Sequence, residues 1–144
     1  MSEKFVVGYD GSAGSKRALD FALNHARAGG GSVVVAHVLE WSAYSFLTPE
    51  ELEERHKRRK EELERAESHL IKPALAAIDA SGIEVTSVIR YGHIAKVLCD
   101  IARETEATQM VVGRDGDGGI AARVFGSTAG SLVQGAPVPC TVVP

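Results

Sequence analysis

The period of the apolar positions changes repeatedly along this chain. Residues 4–9 read KFVVGY, a short β-branched and aromatic run that stops at Asp10-Gly11-Ser12, a turn signal. Leu19, Ala22, Leu23 and Ala26 then recur at helical spacing, and Gly29-Gly30-Gly31 ends that helix. SVVVAHVL, at 32–39, reads as a strand covered on both faces. Thr48-Pro49-Glu50-Glu51 opens a long helix with Thr as N-cap, Pro first and Glu third, a capping box. Leu63, Ala66, Leu70, Ala74 and Ala77 stripe its second half, and Pro73 predicts a bend or break there. Beyond it, 83–92 is strand-like and 94–104 helical, with Ile94, Val97, Leu98, Ile101 and Ala102 on one face. A short strand at 108–113, a glycine-rich loop, a helix at 127–134 and a closing strand at 140–143 complete the pattern.

Strands and helices therefore alternate as βαβαβαβαβ within one domain, 1–144. Right-handed crossovers make the strands parallel and put helices on both faces, a doubly wound α/β fold. Such sheets bind ligands beyond the carboxyl ends of their strands, where strand order reverses. Asp10-Gly11-Ser12, the residues around Val38 and the loop after Gly113 all fall on that rim.

Composition narrows the class. The 144 residues are 44% hydrophobic and 24% charged, ordinary for a soluble domain long enough to bury a core. A net charge of −3 does not favour nucleic acid. The basic run within 50–65 is balanced by Glu53, Glu54 and Glu61, four residues before Lys57, Arg58 and Arg65, as on a solvated helix. Cys99 and Cys140 fit neither a zinc site nor a disulfide framework and read as reduced thiols. With no apolar run of membrane length and no signal-peptide pattern, the expected location is cytoplasmic.

The loop VVGRDGDGGIAARVFGST, 111–128, looks built for phosphate but contains no lysine. No Gly-Lys-Ser/Thr triplet exists, so it is not a P-loop. Gly116-Asp117-Gly118-Gly119-Ile120-Ala121 mimics the dinucleotide fingerprint, but it stands in the last fifth of the chain and no acidic residue follows it. Asp115 and Asp117 begin like a calcium loop, yet Gly126 occupies the position of the bidentate Glu. What remains is Gly113, two residues, Gly116, nine residues, then Gly126-Ser127. Glycine at 113 and 116 permits sharp turns and close ligand approach, and Gly126-Ser127 opens a helix whose free N–H groups suit an anion. Turn glycines with an N-cap serine would look the same.

With that spacing the chain resembles the nucleotide-binding branch of the universal stress protein family. The likeness extends to Val6-Val7-Gly8-Tyr9-Asp10-Gly11-Ser12, to His37-Val38 and to Ala136-Pro137-Val138-Pro139-Cys140, and so covers nearly the whole chain. The resemblance implies a five-stranded parallel sheet of order 3-2-1-4-5 and ATP as ligand, with Mg2+ or Mn2+ on its phosphates. It puts Asp10 and Gly11 beside the nucleotide, with Asp10 a possible metal contact, and Val38 against adenine through its backbone. Gly113, Gly116, Gly126 and Ser127 would cradle ribose and phosphates, flanked by Val112 and Thr128. Where relatives carry a small residue after the first glycine and a basic one after the second, this chain has Arg114 and Asp117. Arg114 either reaches a phosphate or pairs with Asp115 or Asp117. The family also implies a homodimer through the edge strand at 138–143.

No catalytic arrangement is visible among His25, His37, His56, His69 and His93, although His93 stands at a strand end on the ligand rim. Three functions follow: a dimeric ATP-binding stress or regulatory protein with an unknown protein partner, an interaction module of the same fold without nucleotide, or a slow ATP hydrolase.

Overall fold

The computed structural model describes residues 3–40, 48–79, 82–114 and 127–144. They fall into two compact units, one made of the chain up to Glu40 and from Asp79 onward, the other of the segment between.

The first unit is built on β1 (Lys4–Gly8), α1 (Ala13–Gly29) and β2 (Ser32–Glu40). The second unit contributes α2 (Pro49–Ala66) and α3 (Lys72–Ala76). The chain returns to the first unit with β3 (Glu84–Gly92), α4 (Ile94–Glu104), β4 (Gln109–Gly113), α5 (Ser127–Gly135) and β5 (Cys140–Val143). The five strands form one sheet in the order β3-β2-β1-β4-β5, every pairing parallel. The expected doubly wound order is thus the observed one, and β1 lies at its centre with the order reversing beside it.

Alternation along the strands divides the core between two faces. Val6, Val34, Ala36, Met110 and Val112 join Val97, Leu98 and Ile101 of α4 and Ala129 and Leu132 of α5 in one buried cluster. The intervening Phe5, Val7, Val33, Val35 and Val111 are buried as well, and α1 packs along β1 and β4 with Ala18, Leu19, Ala22, Leu23 and Ala26 inward. Burial on both faces is why 33–36 reads as an unbroken apolar run.

In the second unit, the Glu51 N–H donates to Thr48 Oγ1 at 3.2 Å, so the expected cap is formed. Glu54 and Arg58 make the i,i+4 pair, at 3.8 Å. The expected bend at Pro73 is realised differently. Glu67–Ile71 is a π-helical turn in which the Lys72 N–H reaches Glu67 O, five residues back, and Pro73 sits in the first turn of α3. Proline has no N–H to give and its ring crowds the carbonyl four residues back; one widened turn relieves both without ending the helix. Among the described residues no helix is long and apolar enough to cross a membrane.

Candidate functional site

The carboxyl rim of the sheet begins where β1 leaves β2. Their last rung is the Tyr9 N–H donating to Ala36 O at 2.8 Å. In a parallel ladder the next rung would join the Val38 N–H to the Tyr9 carbonyl. That carbonyl instead accepts from His37 Nδ1, at 2.7 Å. Backbone groups alternate sides along a strand, so the Val38 N–H and C=O turn the same way as those of Ala36, toward the line of β1 just beyond its end. The Val38 side chain packs against the α4–α5 core cluster. Its backbone is therefore turned to the rim while its half-buried side chain is turned to the core.

Asp10 follows directly. Its Oδ1 accepts the Ser12 N–H at 2.9 Å, and Gly11 turns the chain at φ 83°, a left-handed conformation suited to glycine. Ser12 caps α1: its Oγ accepts the Ser15 N–H at 3.2 Å, while the Ser15 hydroxyl donates back to Ser12 O at 2.9 Å. A series of side-chain-to-backbone bonds thus runs from β2 through His37 and Asp10 to the first turn of α1. Partial burial pushes the Asp10 carboxyl up, but hydrogen bonding from Ser12 and Ser15 and the nearby His37 outweigh it and leave the pKa below the usual carboxylate value. Asp10 is therefore ionised at neutral pH. The first turn of α1 holds no acidic residue.

Gly113 ends β4 on the other side of β1. It is not among the left-handed glycines, so the sharp turn expected there is not its role. A Cβ at this position would lie 2.7 Å from Gly14 C and 2.8 Å from Gly14 O. The missing side chain lets the first turn of α1 approach β4 backbone to backbone. Val112, expected to flank the ligand, is only 4% exposed and its side chain belongs to the α4–α5 core cluster. That is the ordinary consequence of strand alternation. Arg114 is exposed, and its N–H donates to Val143 O at 2.8 Å, extending the pairing of β4 with β5.

Ser127 opens α5 and Thr128 is half-buried in its first turn, so β4 and α5 bracket the glycine loop as expected. Gly116 and Gly126, with Asp115 and Asp117, lie outside the described residues. His93 takes the N-cap position of α4 with its side chain exposed and not engaged as a cap, while its carbonyl accepts the Val97 N–H at 2.9 Å. Among the described residues no three His, Cys, Asp or Glu side chains converge as a metal site.

Sequence reasoning missed three residues of this rim. The only signal for the His37 bond is a polar ring interrupting the apolar run of β2. Gly14 gave no signal of its own. Gly92 closes β3 at φ 147°, where a Cβ would stand 2.6 Å from Val97 Cγ2, so glycine is required at that strand-to-helix junction.

The universal stress protein family profile matches residues 1–144. A universal stress protein of Thermus aquaticus, encoded beside a QAH/OAS sulfhydrylase, is 31% identical over 144 residues, covering 99% of both chains. The solved universal stress protein UspA of Lactobacillus plantarum superposes with a TM-score of 0.83 at 22% identity, covering 99% of this chain and 98% of that one. A universal stress protein solved in complex with cAMP has a TM-score of 0.61 at 26% identity, covering 99% and 97%. One from Archaeoglobus fulgidus, in complex with dAMP, has a TM-score of 0.63 at 22% identity and full coverage of both chains. Through a profile that spans every residue and a relative that matches almost end to end, this chain belongs to the universal stress protein family.

Proposed function

We propose that the chain is an adenine-nucleotide-binding universal stress protein, a cytoplasmic regulatory module that binds ATP with Mg2+ or Mn2+ at the carboxyl rim and dimerises through 138–143. The observation that carries this reading is the convergence on one rim of an open Val38 backbone, the braced Asp10, and the α1 end seated on Gly113. The glycine frame completed by Gly116, Gly126 and Ser127 continues from the same strand. Adenine is a flat ring with adjacent donor and acceptor atoms, and a strand backbone pointing past the end of its neighbour offers the matching pair. The cAMP complex of a relative of 26% identity supports the same ligand class.

A divalent cation fits this donor set. Bound to the phosphates, it would offset their charge next to the ionised Asp10, which could lend it a carboxylate oxygen. Lysine is dispensable in a site made of backbone amides and a helix end. Because no nucleophile–base arrangement is legible among the histidines, this reading expects at most slow hydrolysis.

The reading is tested by releasing and weighing any small molecule carried by freshly purified protein, followed by calorimetry with Mg-ATP. The expected result is an adenine nucleotide, or saturable Mg-ATP binding that Gly116→Val abolishes while the circular dichroism spectrum is kept. Absence of both would transfer the function to protein interaction alone. Turnover of ATP lost in Gly116→Val and Asp10→Ala would make the protein a hydrolase.

A further inference from the structure

We infer that His37 is a positioning residue which ends the β1–β2 ladder early and so keeps the Val38 N–H available to a ligand. The inference concerns how the rim is kept open, and its link to ATP rests on the function proposed above.

The geometry is specific. Tyr9 is still paired to β2 through its N–H, at 2.8 Å to Ala36 O, so β1 and β2 have not diverged at this point. The Tyr9 carbonyl faces β2, and a single further rung would satisfy it from Val38. The imidazole of the intervening residue does so instead, from Nδ1 at 2.7 Å. A carbonyl only accepts, so Nδ1 carries the hydrogen and the tautomer is fixed in the neutral ring. Tyr9 is only 6% exposed, so water is a poor substitute for this donor. Without the imidazole, the nearest remedy for the buried carbonyl is the rung itself, which would consume the Val38 N–H. The same bond holds the peptide from which Asp10 departs, and Asp10 in turn accepts from Ser12 N at 2.9 Å. One side chain thus sets both the open amide on β2 and the approach of Asp10 to the cap of α1.

Asparagine places an amide nitrogen where the His Nδ1 stands, whereas glutamine reaches the position of Nε2. His37→Ala, His37→Asn and His37→Gln therefore separate a role through Tyr9 from a direct contact with ligand. Amide hydrogen exchange in the nucleotide-free protein reads the ladder directly. We expect the Val38 amide to exchange much faster than those of Val34 and Ala36 in the natural chain, to become protected in His37→Ala, and to be fast again in His37→Asn. In calorimetry, Mg-ATP affinity is expected to fall roughly tenfold in His37→Ala, the weight of about one hydrogen bond, and to recover in His37→Asn but not in His37→Gln. A purely structural histidine would lower the melting temperature of all three variants and leave affinity unchanged.

The inference is overturned if the Val38 amide of the natural chain is as protected as its ladder neighbours, or if it stays fast in every variant. It is also overturned if His37→Gln binds like the natural chain and His37→Asn does not, since that assigns the contact to Nε2. Should His37→Ala fail to fold, the exchange pattern of the natural chain and the Asn–Gln contrast still decide. A natural chain that binds no nucleotide but shows the expected exchange pattern would remove the proposed function and leave the ladder break standing.

Discussion

At the amino end of the sheet, Lys4 bonds to Thr105 and Thr108 and Glu3 to Ser32; at the carboxyl end, His37 bonds to Tyr9 and Asp10 to Ser12, with a different outcome. The amino end is stitched shut. The Lys4 N–H donates to Thr108 Oγ1 at 3.0 Å, and the Thr108 hydroxyl and N–H both return to Lys4 O, at 3.1 and 2.8 Å. The Ser32 N–H donates to Glu3 O at 2.9 Å, and Lys4 Nζ to Thr105 O at 3.0 Å. The cleft that remains, about 330 Å³ between strand starts and the end of α4, is walled partly by Glu84, Glu104 and Glu106. Lys4 stands among them and Glu104 is paired with Arg90 at 2.6 Å, so the cleft is only mildly negative and offers a phosphate chain little. At the carboxyl end the side chains take up main-chain groups in a way that leaves the Val38 amide unclaimed and a helix start facing the rim. One end spends its polar groups on closure, the other on presentation, and this difference favours the carboxyl end for the nucleotide proposed above.

The comparison is broken most strongly by glycine substitutions. A Cβ at Gly31 would collide with Glu3 O. Gly31→Ala is therefore expected to destabilise by about 1–3 kcal/mol or more in urea unfolding, with Mg-ATP affinity of the folded protein unchanged. Gly113→Ala forces a contact of 2.7 Å onto Gly14 C and carries a similar cost in stability. It should in addition weaken Mg-ATP at least about tenfold, because the start of α1 must shift away from the rim. Equal affinities in the two variants would erase the distinction between the two ends.

Smaller effects sharpen it. Thr108→Ala removes the two bonds of the Thr108 hydroxyl to Lys4 and should cost about 1 kcal/mol of stability with no loss of affinity. Asp10 gives a pH signature. Because its folded pKa is depressed, its contribution is present above the unfolded value near pH 4 and is lost as pH falls through the folded value. Asp10→Ala should thus flatten the stability curve at the acid end and leave its shape above about pH 5 unaltered. An unchanged acid limb would mean that Asp10 is not held by Ser12 in solution.

Much of this was legible in the sequence, for physical reasons. The buried strands announce themselves because Val33 to Ala36 have apolar neighbours on both faces, and α4 because its apolar residues keep one helical face. Asp10-Gly11-Ser12 could be read as a turn and cap from residue type alone, since those bonds span two or three residues. What escaped was long-range. The His37 bond joins residues 28 apart in sequence, and the fit of Gly113 on Gly14 exists only once α1 lies across β4. Val112 shows how strand alternation divides a residue: its side chain turns into the core, which leaves only its backbone to flank a ligand. At Pro73 composition predicted the disturbance, whereas its form, a π turn placed before the proline, depends on how the helix absorbs a missing donor.

The most direct test of the account is an amide chemical-shift titration of the isotope-labelled protein with Mg-ATP. The predicted result is saturable movement of Gly11, Ser12, Val38, Gly113, Arg114 and Thr128, while Lys4, Ser32, Thr105 and Thr108 stay fixed. Movement centred on the amino end of the sheet, or none at millimolar Mg-ATP, would contradict it.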